Sequence, residues 1–234
     1  MALLEVENID AFYGEAQALF GVSLKVNKGE TVALLGRNGV GKTTTLKAIM
    51  GVNPPKGGKI FFKEQDITYW PSDKTSRSGI GWIPEDRKLF GELSVMENLR
   101  VAAAGTGDYD GIKKVLELLP ILKKYVNTKA SNLSGGEQKM LTIARSLIGN
   151  KELLMFDEPS EGLAPSIVEI VRKTLFEIKS MGHGILLVEQ NTSLALELSD
   201  RVYIMRSGSI VFEGKPSEVL KDKKAQGYLT VTVE

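Results

Sequence analysis

The chain reads as an α/β protein, with a mainly parallel sheet flanked by helices and a block of helices inserted between two of the strands. Three observations predict this. Short apolar, β-prone runs alternate with stretches of helical periodicity. One such run, Glu30 to Leu35, ends abruptly in a glycine-rich turn that opens a helix. From about Ser94 to Asn150 the strand pattern gives way to helical spacing.

Leu3 to Ile9 alternates apolar with acidic residues, and Ala18 to Val26 is similarly strand-like. The helix after Gly41 turns Leu46, Ile49 and Met50 inward and stops at Gly51, ahead of Pro54-Pro55. Ile60 to Phe62 and Ile80 to Ile83 read as short strands. Within the helical block, Leu116, Leu118, Leu119, Ile121 and Leu122 surround a break at Pro120. Glu137 to Gly149 sets Met140, Ala144, Leu147 and Ile148 at helical spacing. The block is expected to pack as its own lobe. Strands return at Leu153 to Phe156, Ile185 to Val188 and Val202 to Met205, with a helix at about Ser166 to Met181 between the first two. Lys221 to Lys224 reads as a solvated helix end.

Composition narrows the function classes. Hydrophobic residues at 42% and charged residues at 25% are ordinary for a globular protein with a real core. Thirty Lys plus Arg against 29 Asp plus Glu leave a net charge of +1, which argues against nucleic-acid binding through bulk positive potential. The absence of cysteine removes disulfides and thiol nucleophiles, and fits the reducing cytosol. Apolar runs have strand length, far short of the roughly 18 residues of a spanning helix. The acids Glu5 and Glu7 near the start do not fit a basic-then-apolar signal peptide. Any link to a membrane is therefore expected to come through a partner.

Gly36-Arg37-Asn38-Gly39-Val40-Gly41-Lys42-Thr43 fits the G-x-x-x-x-G-K-[ST] phosphate loop, with the required strand before it and helix after it. Its glycines let successive backbone N–H groups turn toward a polyphosphate, and the helix N-terminus adds a favourable dipole. Lys42 would reach the β and γ phosphates, and the Thr43 hydroxyl would help hold Mg²⁺; Thr44 follows directly. The second half of the site is Leu153-Leu154-Met155-Phe156-Asp157-Glu158, an apolar strand that delivers two carboxylates to the sheet's ligand-binding edge. Asp157 would hold the Mg²⁺ water shell. Glu158 would act as general base for the attacking water, or orient it. The cofactors implied are ATP and Mg²⁺.

Leu133-Ser134-Gly135-Gly136-Glu137-Gln138 opens the later helix with Ser134 as its cap, and its two glycines are expected to leave N–H groups open toward solvent. No strand precedes it, so it is an anion site of a different kind from the first. Two phosphate-facing surfaces separated by a helical block point to one nucleotide gripped by two molecules.

With this hexapeptide between the two ATP motifs, the sequence resembles the nucleotide-binding subunits of ABC transporters, along essentially its whole length. The resemblance implies a P-loop NTPase core with an antiparallel β subdomain, from residues 1–86 and 151–234, and an inserted helical subdomain over 87–150. It places Tyr13 where the family has an aromatic that stacks on adenine, and it assigns Ser134, Gly135, Gly136 and Glu137 to the ATP of a facing subunit. Ile83-Pro84-Glu85-Asp86-Arg87, Asp157 through Pro165, Val188-Glu189-Gln190-Asn191 and Gly227-Tyr228-Leu229 further resemble the second ATP-binding subunit of bacterial branched-chain amino acid importers. Urea and short-amide importers use related subunits.

Three positions depart from the general family pattern. Glu85 replaces the glutamine of the loop between core and helical block, Gln190 the switch histidine, and Ala164 the aspartate closing the loop after the second ATP motif. All three resemble usage in the importer subgroup, whereas Asp86 stands where that subgroup has glycine. The resemblance makes Glu158 and Gln190 the catalytic pair and adds Glu85 to the nucleotide site. The only histidine, His183, falls in a surface turn. The partners implied are a second copy or a sister ATPase, two integral membrane permease subunits, and indirectly an extracytosolic solute-binding protein. The location implied is the cytoplasmic face of the cell membrane. The groove near Glu85 to Leu93 would receive a short permease helix, with Phe90 and Leu93 as candidate contacts. A subunit that binds nucleotide but barely hydrolyses it is the competing reading.

Overall fold

A computed structural model describes residues 2–86 and 88–229. The chain opens with a hairpin of β1 (Ala2–Tyr13) and β2 (Ala16–Asn27), followed by β3 (Thr31–Leu35) and α1 (Lys42–Ile49). Next come β4 (Gly57–Phe62), β5 (Gln65–Asp66), α2 (Ser72–Arg77) and β6 (Ile80–Ile83). The inserted helices are α3 (Val95–Thr106), α4 (Asp110–Leu118), a 3₁₀ stretch at Pro120–Tyr125 and α5 (Gly135–Leu147). The remainder runs β7 (Leu153–Asp157), α6 (Pro165–Ser180), β8 (Gly184–Glu189), α7 (Thr192–Leu198), β9 (Arg201–Arg206), β10 (Ser209–Gly214), α8 (Pro216–Val219) and α9 (Lys223–Leu229).

Two sheets result. One has the order β2-β1-β4-β5 and is antiparallel; the other has the order β10-β9-β3-β8-β7-β6 and is parallel apart from β10. Every residue of β3, β7 and β8 is buried, as expected for parallel strands covered on both faces. Successive side chains of one strand leave on opposite faces. Leu35, Ile83, Leu154, Phe156 and Leu187 join α3, α5, α6 and α7 in one core. Val32, Leu34, Leu153, Met155 and Leu186 pack with the antiparallel sheet and α1 in the other. Phe156 is fully buried, and truncating it to alanine is expected to cost ~3–5 kcal/mol.

The helical insertion differs from expectation in one respect. Its Leu99, Leu122, Met140 and Ile143 belong to the same apolar core as the sheet residues, so it is not a separately packed lobe. α5 also meets β6 through polar contacts, the Ser146 hydroxyl donating to the Trp82 carbonyl at 3.2 Å. The register decides where chemistry can happen. Leu35 pairs with Glu189, and Val188 pairs with Asp157, so the carboxyl ends of β3, β8 and β7 lie side by side at one edge.

Candidate functional site

The turn after β3 wraps the start of α1. Gly39 and Gly41 have φ of 76° and 112°, conformations costly for any residue with a Cβ. A Cβ on Gly41 would also lie 2.7 Å from Leu19 Cδ2. No side chain caps α1, so its first N–H groups are left for a ligand. The Lys42 ammonium donates to the Gly36 carbonyl at 2.8 Å and the Arg37 carbonyl at 3.1 Å, and pairs with Glu158 at 3.1 Å. Arg37 and Asn38 are exposed, and the Val40 carbonyl accepts from the Gly208 amide.

At the end of β7, the Thr43 hydroxyl donates to Asp157 Oδ1 at 2.9 Å. Burial pushes the Asp157 carboxyl up to about 6, helped by the charges of Glu158 and Glu85 and opposed by the Thr43 hydrogen bond and Lys139. Glu158 takes φ 46°, unusual for a residue with a side chain, and this turns its carboxylate over the loop. It accepts from the Gln190 amide and from Lys42. Burial works against its charge, but hydrogen bonds with Glu161, Gln190 and Lys42 hold its pKa below the ordinary value. Glu85 joins Asn38, Gly39, Gly41, Lys42, Thr43, Thr44, Glu158 and Glu161 around a cavity of about 300 Å³. Lys42 is the one cation among those lining residues.

These residues fit a Mg²⁺-nucleotide. A hydroxyl and a carboxylate are few ligands, yet Mg²⁺ usually keeps several waters and takes the rest of its shell from phosphates. No cluster of three or more acidic, His or Cys residues suited to a metal occurs among the described residues.

Tyr13 ends β1 half-exposed, with its hydroxyl 3.5 Å from Thr44 Oγ1 and the Lys47 ammonium 5.8 Å from its ring. It stands beside the phosphate loop and is not packed away. Ser134 caps α5 as expected, but the helix starts at Gly135, earlier than the apolar spacing indicates, and ends at Leu147. The Glu137 carboxylate folds back to accept from the Ser134 amide and hydroxyl, both at 2.8 Å, closing a capping box. Gly136 is not open to solvent: a Cβ there would sit 2.8 Å from the Ile167 side chain of α6. The expectation of two solvent-facing glycines is corrected on that point, because α6 packs across the first turn of α5. None of Ser134 to Glu137 lines the nucleotide cavity of its own chain.

A groove of about 460 Å³ separates α2 and β6 from α3 and α5, and includes Pro84, Lys88, Trp82 and Arg145. Phe90 stands exposed with the Arg145 guanidinium 4.8 Å from its ring, whereas Leu93 is half-buried. Asp86 is exposed and Arg87 lies outside the described residues. His183 is partly buried, its Nδ1 2.8 Å from the Lys151 carbonyl.

Two functional candidates escaped the sequence reading. Glu161 lines the cavity, and its hydrogen bond with Glu158, followed by burial and the surrounding carboxylates, pushes it up to about 7. Glu189 ends β8 with 1% exposure. The available signals were an acid in the turn after Asp157-Glu158, and an acid closing a wholly apolar strand.

This constellation on this fold defines a class. The chain belongs to the ABC transporter family, whose profile matches residues 19–161. It is 38% identical over 227 residues to the high-affinity branched-chain amino acid transport ATP-binding protein BraG of Pseudomonas aeruginosa, covering 96% of this chain and 97% of that protein. It is 32% identical to the lipopolysaccharide export system ATP-binding protein LptB of Escherichia coli, covering 95% of each. An ATP-binding cassette of an ABC transporter in its ADP conformation matches with a TM-score of 0.88 at 30% identity, covering 97% of this chain and 98% of that one. The chain is an ATP-binding subunit of the ABC transporter type.

Proposed function

We propose that this chain hydrolyses ATP to power an importer of branched-chain amino acids. The observation that carries the hydrolytic part is the convergence of Lys42, Glu158 and Gln190 beside the Thr43–Asp157 pair at one sheet edge. Lys42 meets the β and γ phosphates. Glu158, held ionised at neutral pH, accepts the proton of the attacking water, and Gln190 orients that water as glutamine does in small GTPases. Thr43 and Asp157 would hold Mg²⁺, which when bound neutralises developing phosphate charge. Tyr13 supplies a face for adenine and Glu85 lies near the phosphates.

Ser134 and the first turn of α5 act on the nucleotide of a facing subunit, a second copy or a sister ATPase. The groove beside Lys88, Phe90 and Arg145 takes a cytosolic helix of a permease subunit, two of which complete the membrane part. With such partners the chain works at the cytoplasmic face of the membrane. No helix among the described residues is long and apolar enough to cross one. Similarity to BraG along nearly the whole chain supports the cargo.

Reconstitution of the chain with its permease and solute-binding protein in liposomes tests both parts. The expected result is ATP turnover stimulated by binding protein loaded with leucine, isoleucine or valine. Stimulation by urea or a short amide alone would overturn the cargo. Absence of turnover under every loading would overturn the hydrolytic role.

A further inference from the structure

β8 is the central strand of the nucleotide edge, with β3 on one side and β7 on the other. Its last residue, Glu189, is 1% exposed, and its carboxylate is hydrogen-bonded by three backbone amides and by the Ser160 side chain. Oε1 accepts from the Ser160 amide at 3.0 Å. Oε2 accepts from the Gln190 and Asn191 amides, each at 3.1 Å. A buried carboxylate is retained only where such donors offset its lost hydration.

The donors belong to different loops. Ser160 lies two residues after Glu158, in the turn that carries Glu161 and runs on to Ala164 at the cap of α6. Gln190 and Asn191 form the turn between β8 and α7, where Asn191 caps α7 through the Leu194 amide at 3.1 Å. The Gln190 side chain reaches back to Glu158 and lies 3.5 Å from Glu161. One carboxylate therefore fixes the backbone on both sides of the Glu158–Gln190 contact.

We propose that Glu189 is a positioning residue that clamps these two turns together and so holds Gln190 against Glu158 for hydrolysis. A neutral side chain of the same shape cannot replace it. In Glu189→Gln one end of the amide is a donor, which would face another N–H, so one turn is released while the other stays held. The clamp does not touch the phosphate loop, so its loss should alter the hydrolytic step and spare nucleotide binding.

The proposal rests on Glu158 acting in hydrolysis, and the test separates the two ideas. Mg-ATP turnover and affinity are measured for the full-length chain, its Glu189→Gln and Glu189→Asp variants, and the Glu158→Gln control. Amide hydrogen exchange is followed at Ser160, Gln190 and Asn191. Expected for Glu189→Gln is a kcat reduced about tenfold to a hundredfold, the scale of a misplaced catalytic group, with KM and Mg-ATP affinity within about twofold of the parent. Glu189→Asp, which keeps the charge on a shorter arm, should recover part of kcat. The double variant with Gln190→Ala should be no slower than Gln190→Ala alone. A kcat unchanged in Glu189→Gln, a parallel loss of kcat, affinity and Tm, or multiplicative effects in the double variant would overturn the clamp. Were Glu158→Gln fully active, the hydrolytic reading would fail and exchange would decide. Faster exchange in at least one of the two turns of Glu189→Gln would support the clamp, and unchanged protection in both would overturn it.

Discussion

The phosphate loop and the first turn of α5 are both helix N-termini opened by glycines, yet they are built for opposite situations. α1 begins without a side-chain cap and has no acid in its first turn, and Lys42 is buried beneath it. α5 begins with a complete capping box whose Glu137 carboxylate already sits on the helix N-terminus. The Glu137 pKa lies below the ordinary value: burial opposes its charge, and hydrogen bonds from Tyr125 and Ser134 outweigh it. Across the molecule, Asp157 is pushed up to about 6 by burial. One region is electrostatically incomplete by itself and supplies its own cation; the other is satisfied and brings no cation of its own within its first turn. The proposed arrangement, a nucleotide seated at α1 and touched by α5 of a facing subunit, draws on this contrast.

The comparison breaks most visibly at Glu158. Glu158→Gln keeps the shape and the Gln190 neighbour, so Mg-ATP binding should persist while turnover falls by about 10²–10⁴-fold, the usual worth of a general base. A steady-state phosphate-release assay decides it, and unchanged turnover would remove Glu158 from the mechanism. Lys42→Ala comes next. Loss of the only cation among the described lining residues should weaken Mg-ATP binding by about a hundredfold, from roughly 3 kcal/mol of charge-assisted bonding. Equilibrium titration with affinity equal to the parent would show that α1 is not the primary seat.

Proton linkage sharpens the electrostatic half of the contrast. With its folded pKa near 6 and an unfolded value near 4, Asp157 holds its proton in the folded chain across a window where the unfolded chain has released it. Its contribution to stability is therefore favourable at low pH, and falls as pH rises from about 4 to 6. Asp157→Asn should remove that fall. Without Mg²⁺ it should melt above the parent at pH 7.5, by at most about 3 kcal/mol, and match it near pH 4. Thermal melts showing no pH-dependent difference would contradict the burial argument.

The smallest effect is expected at the satisfied end. Ser134→Ala removes the α5 cap at a cost of about 1 kcal/mol of stability. It should leave the ATP affinity of the dilute chain unchanged while weakening ATP-driven pairing of subunits. Light scattering with ATP, in the Glu158→Gln background to prevent turnover, reads the pairing. Loss of ATP affinity in the dilute Ser134→Ala chain would place α5 in its own subunit's site. Gly136→Asp is a poorer probe, because the new side chain would also strike Ile167 and disturb α6.

What the sequence determined alone was whatever is written in contiguous residues. The phosphate loop, the two carboxylates after an apolar strand and the Ser134 cap each depend on a short segment whose backbone preference and side-chain chemistry coincide. The alternation of strands and helices was legible for the same reason, since burial imposes periods of two or 3.6 residues on local sequence. What only the tertiary structure decided involves residues brought together across the sheet edge. That Gln190 lies on Glu158, that Glu161 joins them, and that Glu189 ties both turns follows from the side-by-side register of β3, β8 and β7. Gly136 reads locally as an open glycine, but α6, which begins some thirty residues later, covers it. Hydrogen bonds and excluded volume act on distance in space, and no local pattern in the chain encodes which distant backbone amide a buried carboxylate will meet.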